Sequence, residues 1–180
     1  MGDAPLTAEG IAQAHAVGEK LATRPIDAVF TSPLARAQQT AQIIAEAVGV
    51  ATVELDERLR ERANWGDVPG QSWDEFIALW ERSNVDPDFV VPGGLSAHEA
   101  GRRADAFAHH VAARLPDAEV VVVAHGGVIV DLLLQHFEEP HLLQREPELR
   151  HMPWCAVTEL RLEVEGATLG CLANWPDGGG

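Results

Sequence analysis

A histidine and two glycines close the run Val120-Val-Val-Val-Ala124-His125-Gly126-Gly127. An unbroken apolar stretch of this length suits a strand buried on both faces, as parallel strands in α/β proteins are. A second apolar pattern, Val128 to Leu134, follows at once, so the segment reads strand, tight turn, helix. That places His125 at the carboxyl end of a parallel strand, where open α/β sheets bind their ligands. Gly126 and Gly127 let a ligand approach the backbone and leave the N–H groups of the next helix free for an anion. A second unit of the same kind precedes it. Asp27 to Thr31 reads as a short strand, Ser32 as an N-cap, Pro33 as the first helical residue, and Gly49 as the stop after Val48. Arg36 falls in the first turns of that helix, where the helix dipole disfavours a cation. A histidine and an arginine held at two strand ends suit an anionic ligand. Each also has a ligand-free explanation: a turn histidine, and an arginine whose stem swings to solvent.

The elements that must position these two residues alternate regularly. A helix is expected over about Thr7 to Ala22, capped by Thr7, with Ile11, Ala14, Val17 and Leu21 on one face. A short strand near Ala51 to Leu55 precedes a long polar loop, Asp56 to Gln71. Ser72-Trp-Asp-Glu75 is a capping box opening a helix that presents Phe76, Leu79 and Trp80. After a second loop, Asn84 to Gly94, Ser96-Ala-His-Glu99 opens another helix, whose stripe is Ala100, Ala104, Phe107, Val111 and Leu115. Trp154 to Val164, Glu165-Gly166 and Ala167 to Ala173 read as a hairpin.

Several separated motifs, in order and in register, resemble the histidine phosphatase superfamily, the phosphoglycerate-mutase-like phosphatases. They are Thr31-Ser-Pro-Leu-Ala-Arg36-Ala-Gln-Gln-Thr40-Ala, Leu59-Arg60-Glu61, Pro92-Gly-Gly-Leu-Ser96 and Val123-Ala-His125-Gly-Gly127. Leu6-Thr-Ala-Glu-Gly10 looks like that family's first helix, so the similarity covers nearly the whole chain. The resemblance implies a phosphomonoester hydrolase working through a phosphohistidine. His125 would be the second histidine of the phosphate pocket, Arg36 its second arginine, Gly126 a phosphate-side backbone position, and Glu61 the proton donor. It implies no cofactor and no metal.

The family's nucleophile lies in an Arg-His-Gly triplet at the end of an N-terminal strand, and no Arg-His-Gly occurs in these 180 residues. His15 sits mid-helix and cannot replace a strand-end histidine. The sequence starts inside the segment that normally follows the triplet, which leads to two expectations: a start placed too far downstream, or a true loss of the nucleophile. The strand is central to the family's sheet, and losing it would expose the flanking strands, Val120 to Ala124 among them. That cost exceeds the roughly 5–15 kcal/mol by which a domain is stable, and so favours the displaced start. As given, the chain is expected to be inactive.

Other positions depart from the family pattern. After Glu61 the usual Gly-x-Trp-Glu-Gly is replaced by Arg62-Ala-Asn-Trp-Gly66-Asp67, so Asp67 is a second candidate proton donor. Both acids could instead be solvated and paired with Arg58, Arg60 or Arg62. Leu95 stands where an acid is usual, suggesting a more apolar rim or an altered substrate choice. Arg103 matches a recurrent family arginine, or pairs with Glu99 at i, i+4. His98, His109, His110, His136, His141 and His151 show no paired ligand spacing and suggest surface residues rather than a metal site.

Composition sets the outer bounds. The formal charge of −15 argues against nucleic acid and anionic membrane as partners, leaving phosphate or a small phosphorylated metabolite drawn by a local basic pocket. Lys20 is the only lysine among 13 basic residues, so arginine carries the anion contacts, with its bidentate fork. Cys155 and Cys171 have no metal spacing and read as reduced thiols of a cytoplasmic protein, and neither a leader nor a membrane-spanning run is evident. The expected architecture is a single domain over residues 1–175 with a disordered tail, 176–180. Its fold would be a three-layer α/β/α sandwich, phosphoglycerate-mutase-like, with a mainly parallel sheet, an antiparallel C-terminal edge and the N-terminal central strand missing. Three functions remain open: a phosphatase, a catalytically dead phosphate-binding or interaction module, and, more weakly, a phosphoglycerate mutase. Oligomeric state is not legible.

Overall fold

A computed structural model of the chain describes residues 3–146, 149, 153–163 and 166–172. Helix α1 (Ala8–Leu21) leads into strand β1 (Ala28–Thr31), α2 (Ala35–Val48) and β2 (Val53–Leu55). A short 3-10 turn, Glu57–Leu59, opens the loop before α3 (Trp73–Val85), which α4 (Ala97–Arg114), β3 (Val120–Val123), α5 (Gly126–His136) and α6 (Glu139–Arg145) follow. Strands β4 (Leu160–Glu163) and β5 (Gly166–Leu169) end the described fold. The parallel sheet has the order β2-β1-β3, with Val29 opposite both Val53 and Val121.

Alternation along the strands sorts side chains into two cores. Val29, Val121 and Val123 meet Ala41 and Ala45 of α2, while Val17 and Leu21 of α1 pack with Ile44 and the same two β3 valines. Phe30, Val120 and Ala28 face the other way, onto Phe107 and Val111 of α4. Phe30 and Phe107 meet edge to face, with ring centroids 5.4 Å apart. Helices thus cover both faces of the sheet, which is the expected α/β layering. Fully burying a residue such as Val29 contributes about 1.5–3 kcal/mol.

Ser72 and Ser96 each form the reciprocal capping box that their sequences predict, and Thr7 accepts the Gly10 N–H at the head of α1. Helix α2 ends at Gly49, whose φ of 78° is left-handed. Four expectations need correction. Ile11 is exposed, and Gly18 takes its place on the buried face of α1. Helix α2 starts later than predicted, with Leu34 rather than Ser32 at the N-cap, because the Ser32 side chain is turned inward. Its first N–H finds another acceptor: Asp3 Oδ1 lies 2.5 Å from the Ala35 nitrogen. Strand β3 is not buried on both faces, since Val122 is 39% exposed and only one of its edges carries a strand among the described residues. The antiparallel C-terminal pair forms a separate two-stranded sheet rather than an edge of the parallel one. The expected tail 176–180 and His151 lie outside the described residues.

Candidate active site

Strands β1 and β3 end side by side, and the Ser32 N–H donates to the Val123 carbonyl just past their last register pair, at 2.9 Å. This joins the two strand-turn-helix units at the point where each delivers a polar side chain. His125, the N-cap residue of α5, is buried, and its Nε2 lies 2.7 Å from the Ser32 Oγ. Burial, followed by the charges of Arg36, Arg60 and Arg103, pushes the imidazole down to about 3. At neutral pH the ring is therefore uncharged and has one N–H to give.

The proton's position on that ring follows from the serine. The Leu34 N–H donates to Ser32 Oγ at 3.3 Å and takes one of its two lone pairs, which favours the hydroxyl as donor to His125 Nε2. We assign the proton of the neutral ring to Nδ1 on that basis. Long-range proton–nitrogen NMR of His125 should show the Nδ1-protonated tautomer, and Ser32→Ala should shift it towards the Nε2-protonated form. A native ring protonated at Nε2 would reverse the donor and acceptor roles.

Arg36 lies in the first turn of α2, as its sequence predicts, and is half-buried with both terminal nitrogens on Asn64 Oδ1, at 3.3 and 3.2 Å. Burial lowers its pKa, but a guanidinium remains protonated. The cation thus stays aimed at the site although the helix dipole opposes it.

Glu61 arrives from the loop after β2. Its Oε1 accepts the Arg62 N–H at 2.9 Å and its Oε2 accepts the Gly127 N–H at 3.0 Å. It therefore lies against the first turn of α5, at Gly127, two residues after His125. Burial is the largest influence and raises its carboxyl pKa, against the opposing N–H groups of Arg62, Gly127 and Val128 and the Arg62 charge. Gly127 makes this approach possible: a Cβ there would sit 2.7 Å from Glu61 Oε1 and 2.5 Å from the Trp80 ring. At Gly126, by contrast, a Cβ would meet nothing within 4 Å, so this backbone faces open space.

Asp67, the other candidate acid, is held by Arg60 and Asn64 and not against the start of α5. Its Oδ2 pairs with Arg60 at 2.8 Å and its Oδ1 accepts from Asn64 at 3.4 Å. Arg103 reaches the Arg60 carbonyl rather than Glu99, whose carboxylate turns back to the Ser96 N–H. Sequence reasoning placed Arg36, Glu61, His125 and Gly126 at the site, and the structure brings all four to one end of the sheet. It missed Ser32, Asn64 and Arg60. In sequence Ser32 reads as an N-cap, and the Leu-Arg-Glu motif is the available signal for Arg60. Among the described residues no group of histidine, cysteine and acidic side chains could hold a metal ion, and both cysteines are free. No helix among them is long and apolar enough to cross a membrane. Chemically, the arrangement offers fixed positive charge, a neutral histidine donor and an acid whose pKa is raised.

The family model described as histidine phosphatase superfamily (branch 1) matches residues 1–174. A 2,3-bisphosphoglycerate-dependent phosphoglycerate mutase of Mesorhizobium japonicum is 36% identical over 73% of this chain and 69% of its own. The uncharacterized phosphatase PhoE of Bacillus subtilis is 35% identical over 74% of this chain and 65% of its own. The chain thus spans about two thirds of the length of these relatives. Among solved structures, a mycobacterial glucosyl-3-phosphoglycerate phosphatase complexed with VO3 superposes with a TM-score of 0.75 at 27% identity, covering 96% of this chain and 88% of that one.

Proposed function

This chain belongs to the histidine phosphatase superfamily, and from that premise we propose that its site serves a phosphomonoester hydrolase working through a phosphohistidine on a small phosphorylated metabolite. The observation that supports this most is the meeting of Arg36, Glu61 and His125, from three separated segments, at the ends of two adjacent parallel strands. A phosphoryl group in transfer spreads negative charge over its equatorial oxygens, so catalysis is mainly positioning and electrostatic stabilisation. Arg36 and His125 would hold those oxygens, and the open backbone at Gly126 would let them approach. A histidine nucleophile forms the N–P bond as the P–O bond to the alcohol breaks, and Glu61 gives the departing oxygen its proton. Glu61, now a carboxylate, takes a proton from the water that attacks the phosphohistidine, releasing phosphate and both starting groups.

No Arg-His-Gly occurs in these 180 residues, so by themselves they should form no acid-labile phosphoprotein with a phosphate ester. Joined to an upstream strand ending in Arg-His-Gly, they should hydrolyse p-nitrophenyl phosphate without added metal, insensitive to EDTA and inhibited by vanadate. EDTA-sensitive turnover would overturn the reading. A second reading is a phosphate-binding module without turnover; failure of the joined chain to turn over any ester, with phosphate still bound, would establish it. The similarity to a bisphosphoglycerate-dependent mutase favours a third. Interconversion of phosphoglycerates faster than their hydrolysis would identify it.

A further inference from the structure

Arg62 is the largest fully buried side chain of the described fold, and its neighbour in sequence is Glu61. Its guanidinium and the Asp131 carboxylate are 1% and 0% exposed and lie 3.0 Å apart. It also donates to Asn84 Oδ1 and lies 3.9 Å over the Trp80 ring. The main chain of Arg62 is braced as well: its N–H donates to Glu61 Oε1 and its carbonyl accepts from Leu95 at 2.8 Å.

A fully buried ion pair is seldom the most stable filling for a core, because desolvation of both charges offsets their attraction. An apolar pair of the same volume would serve stability as well. What an apolar pair would lack is direction, and here the direction is specific. Asp131 lies one helical turn beyond Gly127 on α5, and Gly127 is the residue whose N–H holds Glu61 Oε2. Trp80 of α3 covers the guanidinium and presses on Gly127 itself. The Arg62 side chain thus ties the Glu61 loop to the helix turn that holds the Glu61 carboxylate, and α3 closes over the tie.

We propose that Arg62 and Asp131, with Asn84 and Trp80, form a clamp that positions Glu61 against the N-terminus of α5. Arg62 is a positioning residue: it acts through Glu61 and does not touch the reacting phosphorus. The catalytic consequence rests on the reading of Glu61 as proton donor; the placement does not.

The test reads placement directly. In the chain joined to an upstream strand ending in Arg-His-Gly, the Gly127 amide proton shift should titrate with Glu61, and that amide should exchange slowly with solvent. Arg62→Met combined with Asp131→Leu removes both charges and leaves neither one unpaired. This pair should at least halve the titration amplitude at Gly127 and speed its exchange by about tenfold, local opening no longer being opposed by the clamp. Asn84→Ala, a smaller change that unpairs no charge, should move both readouts the same way, and it decides alone if the paired variant does not fold. Native amplitude and native exchange at Gly127 in the folded variants would overturn the proposal, even if Tm falls. With the Arg-His-Gly strand supplied, the same variants should lose kcat, not KM, on alkyl phosphates. If the Gly127 readouts move while alkyl ester turnover does not, the clamp stands and the role of Glu61 as proton donor fails.

Discussion

Alanine in place of His125 or Arg36 should lower kcat/KM for phosphate monoesters by a factor on the order of 10² to 10³ each, measured with the Arg-His-Gly strand supplied. This is the loss expected when one fixed donor to developing charge is removed. His125 is poised as a donor because burial and three arginines keep it neutral, so its single N–H costs no reorganisation when an anion arrives. Arg36 is held by Asn64 before any ligand binds, and its planar fork suits two phosphoryl oxygens. The fall should appear chiefly in kcat, because the charge that these groups meet grows in the transition state. Neither variant should unfold the chain: Arg36 is half-buried, and His125→Ala removes one hydrogen bond, worth about 1 kcal/mol. A loss of less than tenfold for either residue would remove it from the phosphate pocket.

What the sequence disclosed, and what it withheld, divides along physical lines. Helix starts at Thr7, Ser72 and Ser96 were legible because capping is local: a side chain meets an N–H two or three residues on. Ser32 carries the same signal, and its hydroxyl does accept the Leu34 N–H two residues on, but it also meets His125, 93 residues away, and no window along the chain contains that contact. The double burial expected of β3 failed for a related reason. Val120 to Val123 are apolar enough for a central strand, but burial depends on what stands on either side, which is a property of the sheet. At the site, Arg36, Glu61 and His125 could be named from motif and register, yet the directions taken by Glu61 and Asp67 could not. Asp67 points to Arg60 and Glu61 to Gly127, and only folded coordinates contain that difference. Arg62 was legible only as one of several charges near an acid; its burial required α3 and α5 to be in place.

Glu61→Gln should reduce turnover of sugar or other alkyl phosphates by a factor on the order of 10² to 10⁴, the usual contribution of a general acid, and change that of p-nitrophenyl phosphate far less. An alkoxide needs a proton as it departs, whereas p-nitrophenolate is a weak base and leaves without one. Asp67→Asn is the internal control, since its carboxylate is turned to Arg60 and should show little dependence on the leaving group. The pH profile supplies the sign. Burial raises the Glu61 carboxyl above the ordinary value of about 4.3, so the proton-bearing form persists to higher pH. Turnover of alkyl esters should be present below the raised pKa and be lost as pH rises through it, a limb that Glu61→Gln abolishes. His125 cannot produce that limb, because its neutral form is already complete well above about 3. Stability follows the same linkage: a carboxyl with a raised folded pKa contributes stability at low pH that is lost as pH climbs through that value. Glutamine has no such charge to bury, so the variant should be less active and, on the alkaline side, more thermostable than the native chain. Should Asp67→Asn rather than Glu61→Gln carry the leaving-group dependence, the proton donor is Asp67, and the loop must turn over when substrate binds.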